Sequence, residues 1–380
     1  MKKFYVLFLM SFLIVSSSFG TNHKQLKKTE KQFYFKIDGV INADTGTVSL
    51  NFYSDYIPNK AKELETKVKN KRFSISGYIP EPQFVFITFG HHYMSSDFII
   101  EKGIQTIAIN TALTRKMPAI ENNTMTNEYP RYASFFKQLT IKSDILNQKY
   151  DSLYKLNHYQ LPKEIKQIQD KENDILYAEG DQLLLRYSKK NPTSKIAFWK
   201  LIINMSWGYE PIFDSIYNCF SGELKNGYAG RILKKKLVNG KQLSVGNPFP
   251  TLQCVSRTNE KFSSTIFLKN KLTLVDFWFS GCAPCRAQFN TLKELYSQYS
   301  NKGFEIVGIS KDRDTDKKEW EDIIVNEKLS WQQYWDMNGK DTHRLSINVF
   351  PTNFLIDSTG KIIAKNISLE TLEELLSKSL

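Results

Sequence analysis

Apolar and polar residues alternate along the first part of the chain. Phe33, Phe35 and Ile37 alternate with polar neighbours, and further short apolar stretches follow up to about residue 115. Turn-forming Gly, Asn and Pro residues separate these stretches. Alternation with a period of two favours half-buried strands, and many short strands without helical spacing are typical of small β-domains. The pattern predicts an antiparallel β-sandwich-like domain over residues 33–115.

Beyond a polar segment, the apolar spacing becomes that of helices. Phe135, Phe136 and Leu139 begin one stripe of residues three and four apart, and similar stripes continue to about residue 240. The sequence Asn191-Pro192-Thr193-Ser194 combines a helix stop with a new N-cap. Residues 125–240 are therefore predicted to form a helical region.

A third pattern occupies residues 244–380. Leu272–Phe279 and Phe304–Ser310 are nearly continuous apolar runs, as expected for strands buried on both faces of a sheet. Helical spacing follows the first run over Cys282–Ser300, and two shorter strands and a terminal helix follow the second. The predicted order is β-α-β-α-β-β-α, which predicts a C-terminal α/β domain.

The most specific chemical signal is Cys282-Ala-Pro-Cys285, where the first buried strand gives way to a helix. A helix N-terminus offers free N–H groups and the positive end of the helix dipole. A thiolate at Cys282 is therefore predicted to be stabilised, with a pKa lowered from about 8.5 toward roughly 7 or below. Two intervening residues also let the sulfurs meet in one turn, so this pair is predicted to be a redox disulfide.

Composition and charge bear on whether the protein binds nucleic acid and on where it is located. The formal net charge is +13, but Lys is spread along the chain rather than clustered on one element, so no nucleic-acid partner is predicted. Residues 1–20 have a basic start, a short apolar core and small residues near a cleavage point. This predicts a signal peptide, export to the periplasm or cell envelope, and no stable membrane insertion after cleavage.

The two other cysteines, Cys219 and Cys254, stand alone in sequence. The favoured interpretation is two buried small side chains; a structural disulfide between them is the alternative. The histidines lack the paired spacing of a metal site, and neither a metal nor a cofactor is predicted.

Four segments together carry a family resemblance: VDFWFSGCAPCR, GFEIVGIS, VFPTNFLID and the terminal helix. They resemble the thioredoxin-fold domain of the TlpA/ResA-like class of exported thiol–disulfide oxidoreductases. The order of regions is similar to that of multidomain proteins of this class exported by Bacteroidetes. The resemblance implies a C-terminal α/β thioredoxin fold, and it implies nothing about the role of residues 33–240.

The resemblance also implies roles for individual residues. Cys282 is the expected nucleophile and Cys285 the resolving cysteine. Asp276, six residues before Cys282, corresponds to a buried acid that takes the proton from Cys285; an acid reaching solvent at the strand edge is the alternative. Pro351 corresponds to a cis-proline that places the Phe350 backbone beside the Cys282 sulfur. Trp278 corresponds to an aromatic residue beneath the site, and can equally be a core residue.

The predicted function is an exported enzyme that reduces protein disulfides and receives electrons from a membrane dithiol donor. Two alternatives remain open at this point. One is a peroxidase of the thioredoxin superfamily, and the other is an envelope-binding protein whose thioredoxin scaffold is inactive. Gly281, where thioredoxin has Trp, is expected to open the surface around Cys282 and to change which partners fit.

Overall fold

A computed structural model describes residues 32–57, 63–157 and 161–380. The predicted signal peptide at 1–20 lies outside the described residues. A β-rich region, a helical region and an α/β domain follow one another along the chain, which confirms the predicted fold class. None of the helices in the described ranges combines the length and apolar character that a membrane span requires.

Among the residues that the structure describes, the first region contains nine strands, in the order β6-β5-β2-β3-β4-β1-β8-β9 with β7 beside β5. The sheet runs past residue 115, the expected end of this region, because β9 pairs with β8. The strands are β1 Phe33–Ile41, β2 Thr45–Phe52, β3 Glu63–Lys69, β4 Arg72–Ile79, β5 Gln83–Phe89, β6 Tyr93–Met94, β7 Phe98–Ile100, β8 Gly103–Ile109 and β9 Ala119–Glu121.

These strands form one hydrogen-bonded sheet that divides into two halves. Strands β3 and β4 are neighbours through a single residue pair, Lys69 and Arg72, whereas β3 pairs along its length with β2 and β4 with β1. One core contains buried side chains from both halves, including Val48 and Ile87 from one and Phe35 and Ile107 from the other. The arrangement is sandwich-like, and among the described strands the one parallel pair is β1 with β8.

The middle region packs around α3, Lys195–Ser206, which is buried over most of its length. Ser194 begins this helix as predicted, because its side chain accepts a hydrogen bond from the Ala197 N–H. Lys365 Nζ donates to the Tyr209 carbonyl at 3.2 Å, so the middle region contacts the C-terminal domain. The helices are α1 Glu128–Leu156, α2 Lys163–Lys190, α3 Lys195–Ser206, α4 Ile212–Cys219, α5 Gly222–Asn226 and α6 Tyr228–Lys241.

The C-terminal domain has a six-stranded sheet in the order β10-β13-β12-β11-β14-β15. β11 lies inside it, parallel to β12 and antiparallel to β14. The elements are β10 Val255–Ser256, α7 Thr265–Leu268, β11 Leu272–Trp278, α8 Ala283–Arg286, α9 Phe289–Tyr299, β12 Phe304–Ser310, α10 Lys317–Asn326, β13 Gln332–Trp335, α11 Lys340–Arg344, β14 Thr352–Asp357, β15 Ile362–Lys365 and α12 Leu369–Ser379.

Two sequence predictions for this domain were wrong in detail. The helix expected over Cys282–Ser300 is interrupted after α8, because the Gln288 N–H bonds the carbonyl three residues back, on Cys285, rather than four. Strand β13 was not predicted. It is short and carries adjacent glutamines, so it lacks the apolar run that identifies β11 and β12.

Candidate active site

The site is built on β11, whose seven residues are all buried. Alternate side chains of a strand point to opposite faces of the sheet. Leu274 and Trp278 belong to the same core cluster as Cys282 and Cys285, whereas Val275 and Phe277 belong to the cluster on the other face. Asp276 alternates with Leu274 and Trp278. It therefore lies on the face that carries the two cysteines.

A disulfide joins Cys282 and Cys285, whose Cα atoms are 5.3 Å apart. Cys282 is the N-cap of α8, and its sulfur accepts a hydrogen bond from the Cys285 N–H at 3.2 Å. Pro284 occupies the first turn of α8, where its missing N–H has no partner to lose. The neighbouring Gly281 and Ala283 are exposed. Cys282 itself is 4% exposed, between these two exposed neighbours, and its sulfur already has the donor that a thiolate needs.

The loop before the cysteines is fixed by a buried acid that the sequence analysis missed. The Asp312 carboxylate accepts hydrogen bonds from the Ser280 N–H at 3.0 Å and from the Ser280 hydroxyl at 2.6 Å. It also accepts one from the Ser310 hydroxyl. Asp312 lies two residues after the end of β12, so the end of that strand is tied to the turn that carries Cys282.

Asp276 is 4% exposed, which excludes the alternative of an acid that reaches solvent at the strand edge. Burial raises its pKa to about 7. Desolvation disfavours the charged carboxylate, and neither an ion pair nor a hydrogen bond to its side chain is found among the described residues. A carboxyl group with this pKa can exchange a proton at neutral pH.

A row of polar residues crosses the sheet through Asp276. Asp276 pairs with Gly308 on β12, and Gly308 pairs with Gln333 on β13. A Cβ at Gly308 would lie 2.1 Å from Gln333 Oε1, so the Gln333 amide extends over Gly308 toward β11. Its oxygen accepts a hydrogen bond from Trp278 Nε1 at 3.2 Å, while its nitrogen is buried without a partner among the described residues.

The Phe350–Pro351 peptide bond is cis, in agreement with the sequence prediction. The Phe350 ring contacts that of Phe279 edge-on at 5.6 Å, and both rings pack against the core cluster containing the cysteines. Lys311 joins them: its Nζ lies 4.7 Å from the centre of the Phe279 ring and 4.2 Å from that of Phe350. Sequence reasoning missed Lys311, because the three residues come from separate segments of the chain.

The other two cysteines are free, so the alternative of a Cys219–Cys254 disulfide is wrong. Cys254 is 2% exposed, as the favoured interpretation expects, and burial raises the pKa of its thiol. Cys219 is only half-buried. Within the described ranges, no group of three or more His, Cys, Asp or Glu residues is placed to hold a metal ion.

The fold and the site define a thioredoxin-like domain with a dithiol pair at the first strand–helix junction. Residues 270–362 match a family model described as thioredoxin-like. Residues 35–150 match a second model, described as a domain of unknown function (DUF4369). The C-terminal domain is thus thioredoxin-like, and its relatives include proteins named ResA.

Individual relatives carry the name thiol-disulfide oxidoreductase. ResA of Bacillus cereus is 32% identical over 108 residues, which are 28% of this chain and 61% of that protein, so the chain spans about three fifths of this relative's length. ResA of Bacillus thuringiensis subsp. konkukian is 28% identical over 140 residues, 36% of this chain and 79% of that protein. A solved thiol-disulfide oxidoreductase from Bacteroides fragilis is 34% identical, with a TM-score of 0.33, over 35% of this chain and 100% of that one.

Proposed function

We propose that the protein exchanges disulfides with protein substrates and acts chiefly as a reductant. The observation that supports this best is the Cys282–Cys285 pair at the end of β11, with the Cys285 N–H bonded to the Cys282 sulfur and Asp276 buried on the same face. A thiolate at Cys282 would keep that hydrogen bond. Its pKa would be lowered, as at other cysteines that open a helix.

In the proposed reaction the Cys282 thiolate attacks one sulfur of a substrate disulfide. The substrate S–S bond breaks, one substrate cysteine leaves as a thiolate and takes up a proton, and a mixed disulfide forms. Cys285 then gives its proton to Asp276 and attacks the Cys282 sulfur. The second substrate cysteine leaves as a thiolate and takes up a proton. The substrate has then gained two electrons, and the Cys282–Cys285 pair has become a disulfide.

We assign Phe350, Pro351 and Trp278 to the part of the site that contacts the substrate. We place an extended substrate segment along the Phe350 backbone beside Pro351, where strand-like pairing would hold the disulfide over Cys282. Trp278 supports the cysteines from below, because its ring packs edge-on against Phe289 of α9 at 5.2 Å. No cofactor takes part in this scheme, since the dithiol itself carries the electrons.

The partners follow from the same proposal. A membrane dithiol protein would return the pair to its reduced form after each cycle. The scheme places the protein in the periplasm or cell envelope, with a signal peptide at 1–20. The redox domain would span 244–380, behind a β-rich domain at 33–115 and a helical region at 125–240.

The first test is the reduction potential of the Cys282–Cys285 pair, measured in the full chain by equilibration with glutathione or dithiothreitol. We expect a value well below about −220 mV; a value near about −120 mV would contradict the reductant assignment. Cys285→Ser should trap mixed disulfides with substrates, and Cys219→Ser is the matched control that should trap none. A peroxide-consumption assay separates this function from a peroxidase.

A further inference from the structure

A pocket of about 510 Å³ lies beside the proposed redox site. Its walls include Phe279 from the turn before Cys282, Lys311 and Arg313 from the segment after β12, and His343 and Asn348 from the chain leading to Pro351. The pocket is thus bounded by the two segments that flank the disulfide. A polypeptide held at Cys282 would have neighbouring side chains close to it.

Lys311 is the most unusual group in this pocket. Its backbone N–H donates to the Trp278 carbonyl at 3.1 Å, which fixes its position next to the end of β11. Its ammonium group is placed against the rings of Phe279 and Phe350. Aromatic faces attract a cation and make up for part of the water that it loses on burial. The ammonium group is therefore held in place at the rim of the site.

The acids near Lys311 are engaged elsewhere. Asp312 accepts its hydrogen bonds from Ser280 and Ser310. Asp316 is paired with Arg313, with 2.8 Å between Oδ2 and Nε. The ammonium group of Lys311 forms no hydrogen bond or ion pair with any residue that the structure describes. Burial lowers its pKa, and the charge of Asp312 opposes this only in part.

A half-buried cation without a bonded acceptor gains most from an anion that enters the pocket. Arg313, although paired, is largely exposed and adds positive charge at the rim. His343 is exposed and adds a ring nitrogen that can donate or accept. The two rings beside Lys311 give apolar walls for the methylene groups of an acidic side chain. In a polypeptide substrate, the anion that fits is the carboxylate of Asp or Glu.

We propose that Lys311 binds a substrate carboxylate, so that the protein prefers disulfides whose cysteine lies within a few residues of Asp or Glu. This inference rests on the proposed disulfide exchange and names its substrate class. Lys311 acts on binding rather than on the sulfur chemistry. Its contribution is therefore expected in KM rather than in kcat.

The test uses three disulfide peptides of equal length that carry Glu, Gln or Lys beside the cysteine. The full chain, Lys311→Gln, Lys311→Glu and Lys317→Gln are compared by kcat/KM for reduction. Lys317 is the matched control, because its Nζ also lies over a ring, 5.0 Å from the centre of Trp335, but outside the pocket.

We expect the unmodified chain and Lys317→Gln to prefer the Glu peptide over the Gln peptide roughly tenfold, which is the scale of one charge-assisted hydrogen bond. Lys311→Gln should lose this preference, and a cooperative urea unfolding transition like that of the parent would show that it is folded. Lys311→Glu should favour the Lys peptide. Equal rates for all three peptides in the parent, or a preference that survives in Lys311→Gln, would overturn the inference.

A binding experiment keeps this inference separate from the proposed function. The Glu peptide is made with Ser in place of Cys, and its affinity for the parent and for Lys311→Gln is measured by titration. Roughly tenfold tighter binding to the parent supports the carboxylate site even if no peptide is reduced, in which case only the proposed function fails. Equal affinity would refute the site even if the peptides are reduced.

Discussion

Asp276→Asn is the perturbation that tests the buried acid most directly. In the unfolded chain Asp276 ionises near its ordinary pKa of 3.8, whereas in the folded protein burial raises the pKa to about 7. Between these values folding requires the carboxyl group to take up a proton. The stability of the parent protein therefore falls as pH rises from about 4 to about 7, and the full penalty remains above that range.

The structure sets the size of this effect. The shift from 3.8 to about 7 is roughly three pKa units, and each unit corresponds to about 1.4 kcal/mol, so the penalty is at most about 4 kcal/mol. Asn cannot ionise and carries no such penalty. We expect the stability of Asp276→Asn, relative to the parent, to increase by about 2–4 kcal/mol between pH 4 and pH 8. Other buried acids are common to both proteins and cancel in the difference.

Urea unfolding followed by tryptophan fluorescence is the assay. Four of the six tryptophans lie in the C-terminal domain, so the signal reports mainly on the domain that contains Asp276. Asp316→Asn is the control of opposite sign, because hydrogen bonds from Arg313 and Thr315 lower the pKa of Asp316. That variant should lose stability relative to the parent as pH rises. A stability difference for Asp276→Asn that is equal at pH 4 and pH 8 would refute the reasoning.

Three further predictions concern the support of the site. Gly308→Ala should destabilise the folded protein by about 1–3 kcal/mol in urea unfolding, because the new Cβ would overlap the Gln333 amide. Adding Gln333→Ala should recover part of this loss of stability. Asp312→Asn should cost about 2 kcal/mol in the same assay, since an amide group cannot accept all the bonds from Ser280 and Ser310; an equal loss in Asp314→Asn, at an exposed neighbour, would contradict this. A thiol reagent should modify Cys219 in the folded, oxidised protein and Cys254 only after unfolding; two rapidly reacting thiols would contradict the burial of Cys254.

The sequence predicted those strands, and those site residues, that have a distinct pattern within a few neighbouring residues. Strand β11 was recognisable because a strand buried on both faces must be almost wholly apolar. The cysteine pair after it was recognisable because a spacing of two residues brings both sulfurs into one helical turn. Asp276 could be singled out for the same reason, as the one charge in an apolar run. The alternation of the first region likewise predicted its strands, although nothing in it indicated that β1 and β8 would run parallel.

Strand β13 shows why another part could not be predicted. Its residues Gln332–Trp335 are too few to establish a period, and Gln333 looks like a surface residue in isolation. It is buried because Gly308, on the neighbouring strand, leaves room for its side chain, and because Trp278 supplies a donor. Gly308 and Trp278 are each 25 or more residues from Gln333 along the chain. They meet it only because the assembled sheet places the strands in this register.

Lys311 is a clearer example of a feature that the sequence could not predict, because it belongs to the candidate site itself. A lysine directly after a buried strand normally extends into solvent and keeps its hydration. In this protein the turn before Cys282 and the residue before Pro351 each place a ring against it, so the ammonium is partly desolvated although no local feature marks it. The cysteines and Asp276 were predictable because thiol–disulfide exchange needs those residue types at that spacing. The proposed substrate preference depends instead on the position of one charge beside the disulfide. That position is set by contacts between segments that are distant along the chain.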